Sequence, residues 1–142
     1  MWRLRPDVIA GAMWALLAVF LAKRRLAQNG LSARVLAPRW LPSTGSRGVT
    51  AVLHKLSPTC LERALVAQAW RAAHGDLRDI VIGIPIFGMK DSTAHAWLDG
   101  TDAQSTHEYR EIHRLHAPSA GSGSVRVNES AYETSRSIHK AL

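Results

Sequence analysis

A single cysteine, Cys60, stands in 142 residues. A lone cysteine cannot close an internal disulfide, so the composition points to a reducing compartment and excludes a disulfide-stapled secreted scaffold. Acidic side chains are also scarce, 11 Asp and Glu against 18 Lys and Arg, and aromatic residues make up only 6%. Long hydrophobic runs are missing too. The longest, Val8 to Ala22, has 15 residues and closes at Lys23-Arg24-Arg25. As a helix it would extend about 22 Å, short of the roughly 30 Å of a bilayer core. The basic triplet stands where a signal peptide would have its small-residue cleavage site. A buried or interface helix is therefore expected, with a peripheral membrane anchor as the alternative.

What is present suits one folded domain: 46% hydrophobic and 20% charged residues can support a packed core, and wholesale disorder is not expected. The net charge of +7 is unevenly placed. Residues 1–59 hold nine basic residues against Asp7 alone, whereas residues 60–116 hold six basic and eight acidic ones. Basic character is thus confined to the N-terminal third, which argues against nucleic acid as a partner of the remainder.

Punctuation along the chain divides it into three parts. Residues 1–49 comprise the apolar helix and a connector broken by Asn29-Gly30, Pro38, Pro42 and Ser43-Thr44-Gly45-Ser46. Residues 50–116 form the core, and residues 117–142, rich in Ser and Gly, read as a disordered tail. Within the core, Thr50 to Leu56 is too short for periodicity to separate helix from strand. Thr59-Cys60-Leu61-Glu62 has the T-x-x-E form of a capping box, so a helix begins there with Cys60 at its first position. Its apolar residues Leu61, Leu65, Ala69 and Ala72 keep helical spacing up to Gly75. The run Ile80, Val81, Ile82, Ile84 before Pro85 predicts a buried strand, followed by a loop through Phe87 to Asp91 and a second strand over Ala94 to Leu98. Asp99-Gly100 predicts a two-residue hairpin, a returning strand over Thr101 to Thr106 and a short helix over Glu108 to Leu115. The fold class expected is α+β.

A cysteine at a helix start with a histidine on a later strand is the layout of a thiol nucleophile. Helix N-terminal amides and the helix dipole stabilise negative charge and so favour a thiolate. An imidazole facing the sulfur can pair with that thiolate and then protonate a leaving amine. His95, between Ala94 and Ala96, is the candidate. For the group that fixes the imidazole, the expected hairpin sets His95 opposite Gln104 and Asp102 on the diagonal of the same face, which favours Asp102. Gln104 is a neutral substitute, and Asp99, about 13 Å along the strand, belongs to the turn. His113 and His116 stand three apart without further ligands, so no metal site is expected.

The segment CLERALVAQAWRAAHGDLRDIVIGIP, then AHAWLDG and EYREIHRL, resembles the transglutaminase-like cysteine peptidases of lasso-peptide biosynthesis, as the standalone C-terminal half of the B protein. The likeness spans about Leu53 to Leu115 and is strongest at C-L-E-R-A-L and A-H-A-W-L. It implies a papain/transglutaminase-like core with N-terminal helices, Cys60 as nucleophile and His95 as general base and acid. The family's third member is an aspartate downstream of the histidine strand. Here that hairpin is shorter than in longer relatives, so Asp102, Asp99 and Gln104 all stay open. The resemblance also implies a cytoplasmic leader peptidase whose substrate is a ribosomally made precursor. Its partners would be a small leader-recognition protein and an asparagine-synthetase-like cyclase. ATP belongs to the cyclase, and peptide hydrolysis as such needs no cofactor. The alternative from another class is a noncatalytic basic scaffold that binds a membrane surface or a protein partner.

Overall fold

The computed structural model describes residues 5–86 and 93–118, with every side chain there except that of Gln104. The expected loop over Phe87 to Asp91 and nearly all of the expected tail lie outside these residues. The described residues form four α-helices and a three-stranded antiparallel sheet, an α+β arrangement.

Helix α1 (Pro6–Asn29) opens on a proline, whose fixed φ suits the first helical position. It is 24 residues long and runs through Lys23-Arg24-Arg25, where the sequence reading ended it. Lys and Arg are good helix formers, so a basic triplet does not stop a helix; Gly30 does. The helix is thus longer than the 15-residue run, and Pro6–Ser32 is long and apolar enough to cross a membrane by length and composition, a test that a core helix also passes. Helix α2 (Ser46–Leu56) settles the ambiguous Thr50 to Leu56 segment as helical and crosses α1 at very close range. A Cβ on Gly48 would sit 2.0 Å from the Val8 carbonyl oxygen, and one on Gly11 would sit 2.3 Å from that of Gly45. Only residues without a side chain allow the two backbones to meet in this way.

Helix α3 (Cys60–Ala73) packs on α1 and on the sheet. Leu65, Val66 and Ile80 are fully buried, and each stabilises the fold by roughly 1.5–3 kcal/mol. The Trp14 and Trp70 rings, 5.4 Å apart, join α1 to α3. Gln68 is 3% exposed and uses its amide to donate to the Arg78 carbonyl at 2.8 Å, which fixes the chain just before the sheet.

The sheet has the order β2-β1-β3, built from β1 (Ile80–Pro85), β2 (His95–Leu98) and β3 (Tyr109–Leu115). Its register pairs Ile80 with Leu98 and Leu115, and Gly83 with His95. Ile80, Ile82, Ala96, Leu98 and Leu115 join the helical core, whereas Val81, Gly83, His95 and Trp97 alternate to the other face.

Two expectations fail here. Asp99-Gly100 does make a tight turn, with Thr101 N donating to Leu98 O at 3.1 Å, but no hairpin follows. The segment expected as a returning strand is largely helix α4 (Ala103–Glu108), because Asp102 caps it by accepting from Ser105 N at 3.0 Å. The segment expected as a helix, Glu108 to Leu115, is strand β3, whose register slips between Ile82 and Gly83 of β1. That bulge spoils the two-residue alternation by which a strand is recognised.

Candidate functional site

The capping box forms as the sequence implies: Thr59 Oγ1 accepts from Glu62 N at 3.3 Å, and Glu62 Oε2 accepts from Thr59 N at 3.1 Å. Cys60 is thereby held at the first position of α3, half-buried against the core. The nearest polar partner of its thiol is the carbonyl oxygen of Ala94 at 3.9 Å, one residue before His95.

A cleft of about 430 Å³ opens between α3 and β2. Cys60, Arg63, Ala64 and Ala67 form one wall, His95 to Leu98 the other, and Thr101 and Asp102 close the end. Its size is that of a ligand or peptide cleft. Cys60, His95 and Asp102 border this one space, but no hydrogen bond among the described residues joins Cys60 to His95, whose strand position faces away from the helical core.

The details depart from the expected hairpin. His95 pairs with Gly83, not Gln104. Its ring stacks on Trp97 at 5.9 Å and against Tyr109 at 5.2 Å, and Trp97 and Tyr109 are themselves 6.0 Å apart. Among the described residues the imidazole makes no hydrogen bond, so ring packing is what holds it. Asp102 does not lie on a strand diagonal; its carboxylate accepts from the Ser105 amide and hydroxyl at the start of α4. Asp99 is outside the cleft, with Oδ2 2.6 Å from Arg114 Nη1. The side chain of Gln104 is not among those described.

Three residues of this site escaped the sequence reading. Gly83 lies beneath the rings: a Cβ there would come within 2.9 Å of Trp97 and 3.0 Å of both Tyr109 Cβ and the Arg110 carbonyl oxygen. Trp97 had a visible signal, since it stands two residues from His95 and so shares its face of the strand. Tyr109 had none once its segment was read as helix.

The arrangement offers a thiol at a helix start, an imidazole and a carboxylate around one cleft, with Arg63 also lining it while its guanidinium donates to the Leu53 carbonyl at 3.5 Å. Among the described residues no three His, Cys, Asp or Glu side chains gather as a metal site would require. Comparisons with protein-family models, with curated proteins and with solved structures find no match to this chain.

Proposed function

We propose that the protein is a cysteine peptidase of the papain/transglutaminase-like kind that removes the leader from a ribosomally made lasso-peptide precursor. The observation that carries the reading is the placement of Cys60 at the start of a capped helix, bordering one cleft with His95 and Asp102. The substrate class rests on the resemblance of C-L-E-R-A-L and A-H-A-W-L to that family.

In the reaction, the Cys60 sulfur attacks the scissile carbonyl carbon as its proton passes to His95. The C–N bond breaks, the imidazolium gives its proton to the departing amine, and a thioester joins the leader to Cys60. Water, deprotonated by His95, then hydrolyses the thioester and frees the thiol. His95 lies on the sheet face with Trp97 and Tyr109, so the reaction requires its imidazole to leave that packing and turn to the sulfur when a peptide fills the cleft. Asp102, already tied to Ser105, is the carboxylate nearest in role to the family's third member.

The test is direct. Full-length protein, a tagged precursor and the leader-recognition protein are incubated with and without a thiol alkylator, and the products are weighed by mass spectrometry. Release of an intact leader that alkylation stops is the expected result. Absence of cleavage under all conditions, or cleavage that survives alkylation, would overturn the proposal. Transfer of the leader to an added amine in place of water would identify an acyl transferase instead.

A further inference from the structure

Helix α1 is apolar on both sides, and the described residues cover only one of them. Gly11, Ala15, Ala18, Val19 and Ala22 are buried against the rest of the fold. On the other side Ile9, Met13, Leu16, Leu17 and Phe20 are 45–65% exposed. At helical spacing these five side chains fall on one stripe, and Lys23 and Arg24 continue it within about 120° of the circumference. Neither cation has an ion-pair partner among the described residues, and the stripe contains no acidic residue.

We infer that this stripe docks the protein onto an anionic lipid surface, with α1 lying in the plane of the interface and Lys23 and Arg24 among the headgroups. An apolar face ending in unpaired cations is what such a surface takes up. The charge also disfavours a second copy as the occupant. Parallel stripes would set Lys23 and Arg24 against themselves, and antiparallel stripes would offer them no free acid, since Asp7, the acidic residue of α1, is already paired with Arg5 at 3.3 Å. The covered side decides between lying and spanning. Crossing the bilayer would draw α2, with its exposed Arg47, His54 and Lys55, into hydrocarbon, because Gly48 of α2 meets the α1 backbone at Val8. The inference is independent of the role given to Cys60.

Flotation of the full-length protein with vesicles of equal parts phosphatidylglycerol and phosphatidylcholine tests it. The protein should rise with these vesicles, and binding should fall about tenfold or more on phosphatidylcholine alone, or in the variant Lys23→Gln/Arg24→Gln. Leu17→Glu/Phe20→Glu should abolish flotation without changing the thermal melt, since both side chains are exposed. No flotation of the wild type, or flotation indifferent to these substitutions, would overturn the inference. So would a dimer in sedimentation equilibrium, or a complex with the leader-recognition protein, that Leu17→Glu/Phe20→Glu dissolves while vesicles stay unbound.

Discussion

The two ends of the small sheet are held in different ways. At the Ile80 end, charge fastens the chain: Arg114 reaches Asp99 at 2.6 Å, Glu111 at 2.8 Å and Asp79 at 3.5 Å. Asp79 also accepts from the Ala117 amide at 2.8 Å and stands 3.2 Å from His116 Nδ1. At the Gly83 end, three aromatic rings meet and His95 rests among them, and of the ion pairs just named only that of Glu111, the partner of Gly83 in register, reaches so far. Ion pairs and hydrogen bonds hold through charge and direction, whereas packed rings hold through contact area and preferred ring geometry. Ion pairs fasten the strands at one end, and among the described residues ring packing alone holds the His95 imidazole at the other.

Substitutions can separate these two modes of support. The largest effect belongs to Cys60→Ala, which should lower leader cleavage by about a thousandfold or more while leaving the melting temperature near wild type. Alanine is well tolerated at the first position of a capped helix. A variant that still cleaves would break the proposed assignment of Cys60 as the nucleophile.

His95→Ala should cost nearly as much, and the double variant should be no slower than either single one, since a nucleophile and its base act as a unit. Single-turnover rates measure this. A multiplied loss in the double variant would mean that the two residues act separately.

Gly83→Ala probes the ring packing. The added methyl group would press on Trp97, Tyr109 and the Arg110 carbonyl, a clash expected to cost about 1–3 kcal/mol in denaturant unfolding and to lower kcat. Thr59→Ala removes one half of the capping box, with an expected loss of about 1 kcal/mol and slower alkylation of Cys60. Equal alkylation rates in the two proteins would show that the cap does not prepare the thiol.

The smallest effect concerns the fastened end. The Arg114 side chain holds the Glu111 carboxyl below its ordinary pKa, and the Ala117 amide, with His116 and Arg114, does the same for Asp79. A carboxyl whose pKa is lower folded than unfolded adds stability that is complete above its unfolded value and lost as pH falls through the folded one. The network should therefore support the fold at neutral pH and fail below about pH 4. Arg114→Gln should lower Tm by a few degrees at pH 7 and flatten the acid limb of a Tm-against-pH curve. An unchanged acid limb would show that these contacts do not support the sheet.

Legibility in the sequence followed the range of the interactions. The start of α3 was plain because Thr59 and Glu62 are three residues apart and cap each other. Strand β1 was plain because its Ile and Val residues sit together. The pairing of β2 with β1 was hidden, since it depends on residues distant in sequence, and the local turn at Asp99-Gly100 pointed to the wrong neighbour. Asp102 carried a cap signal for α4 that the hairpin reading overrode. Strand β3 was disguised by its bulge and by exposed Arg110, Glu111 and His113. Cys60 and His95 were singled out by chemistry and order alone, and the structure sets both on the border of one cleft without a hydrogen bond between them. The exposed stripe of α1 was not, since an apolar helix looks the same in sequence whether one side or both are covered.

The strand order β2-β1-β3 also bears on synthesis. Strand β1 is made first but occupies the middle, so one of its edges waits for Leu98 and the other for Leu115. At about 5–20 residues per second, the second edge stays unsatisfied for roughly 2–6 s after Pro85 has been added. During that interval a growing chain carries an apolar strand with open backbone groups, the form that pairs most readily with a neighbouring nascent chain. Pausing between Pro85 and Leu115 lengthens that exposure, whereas pausing before Ile80 leaves only helices to wait.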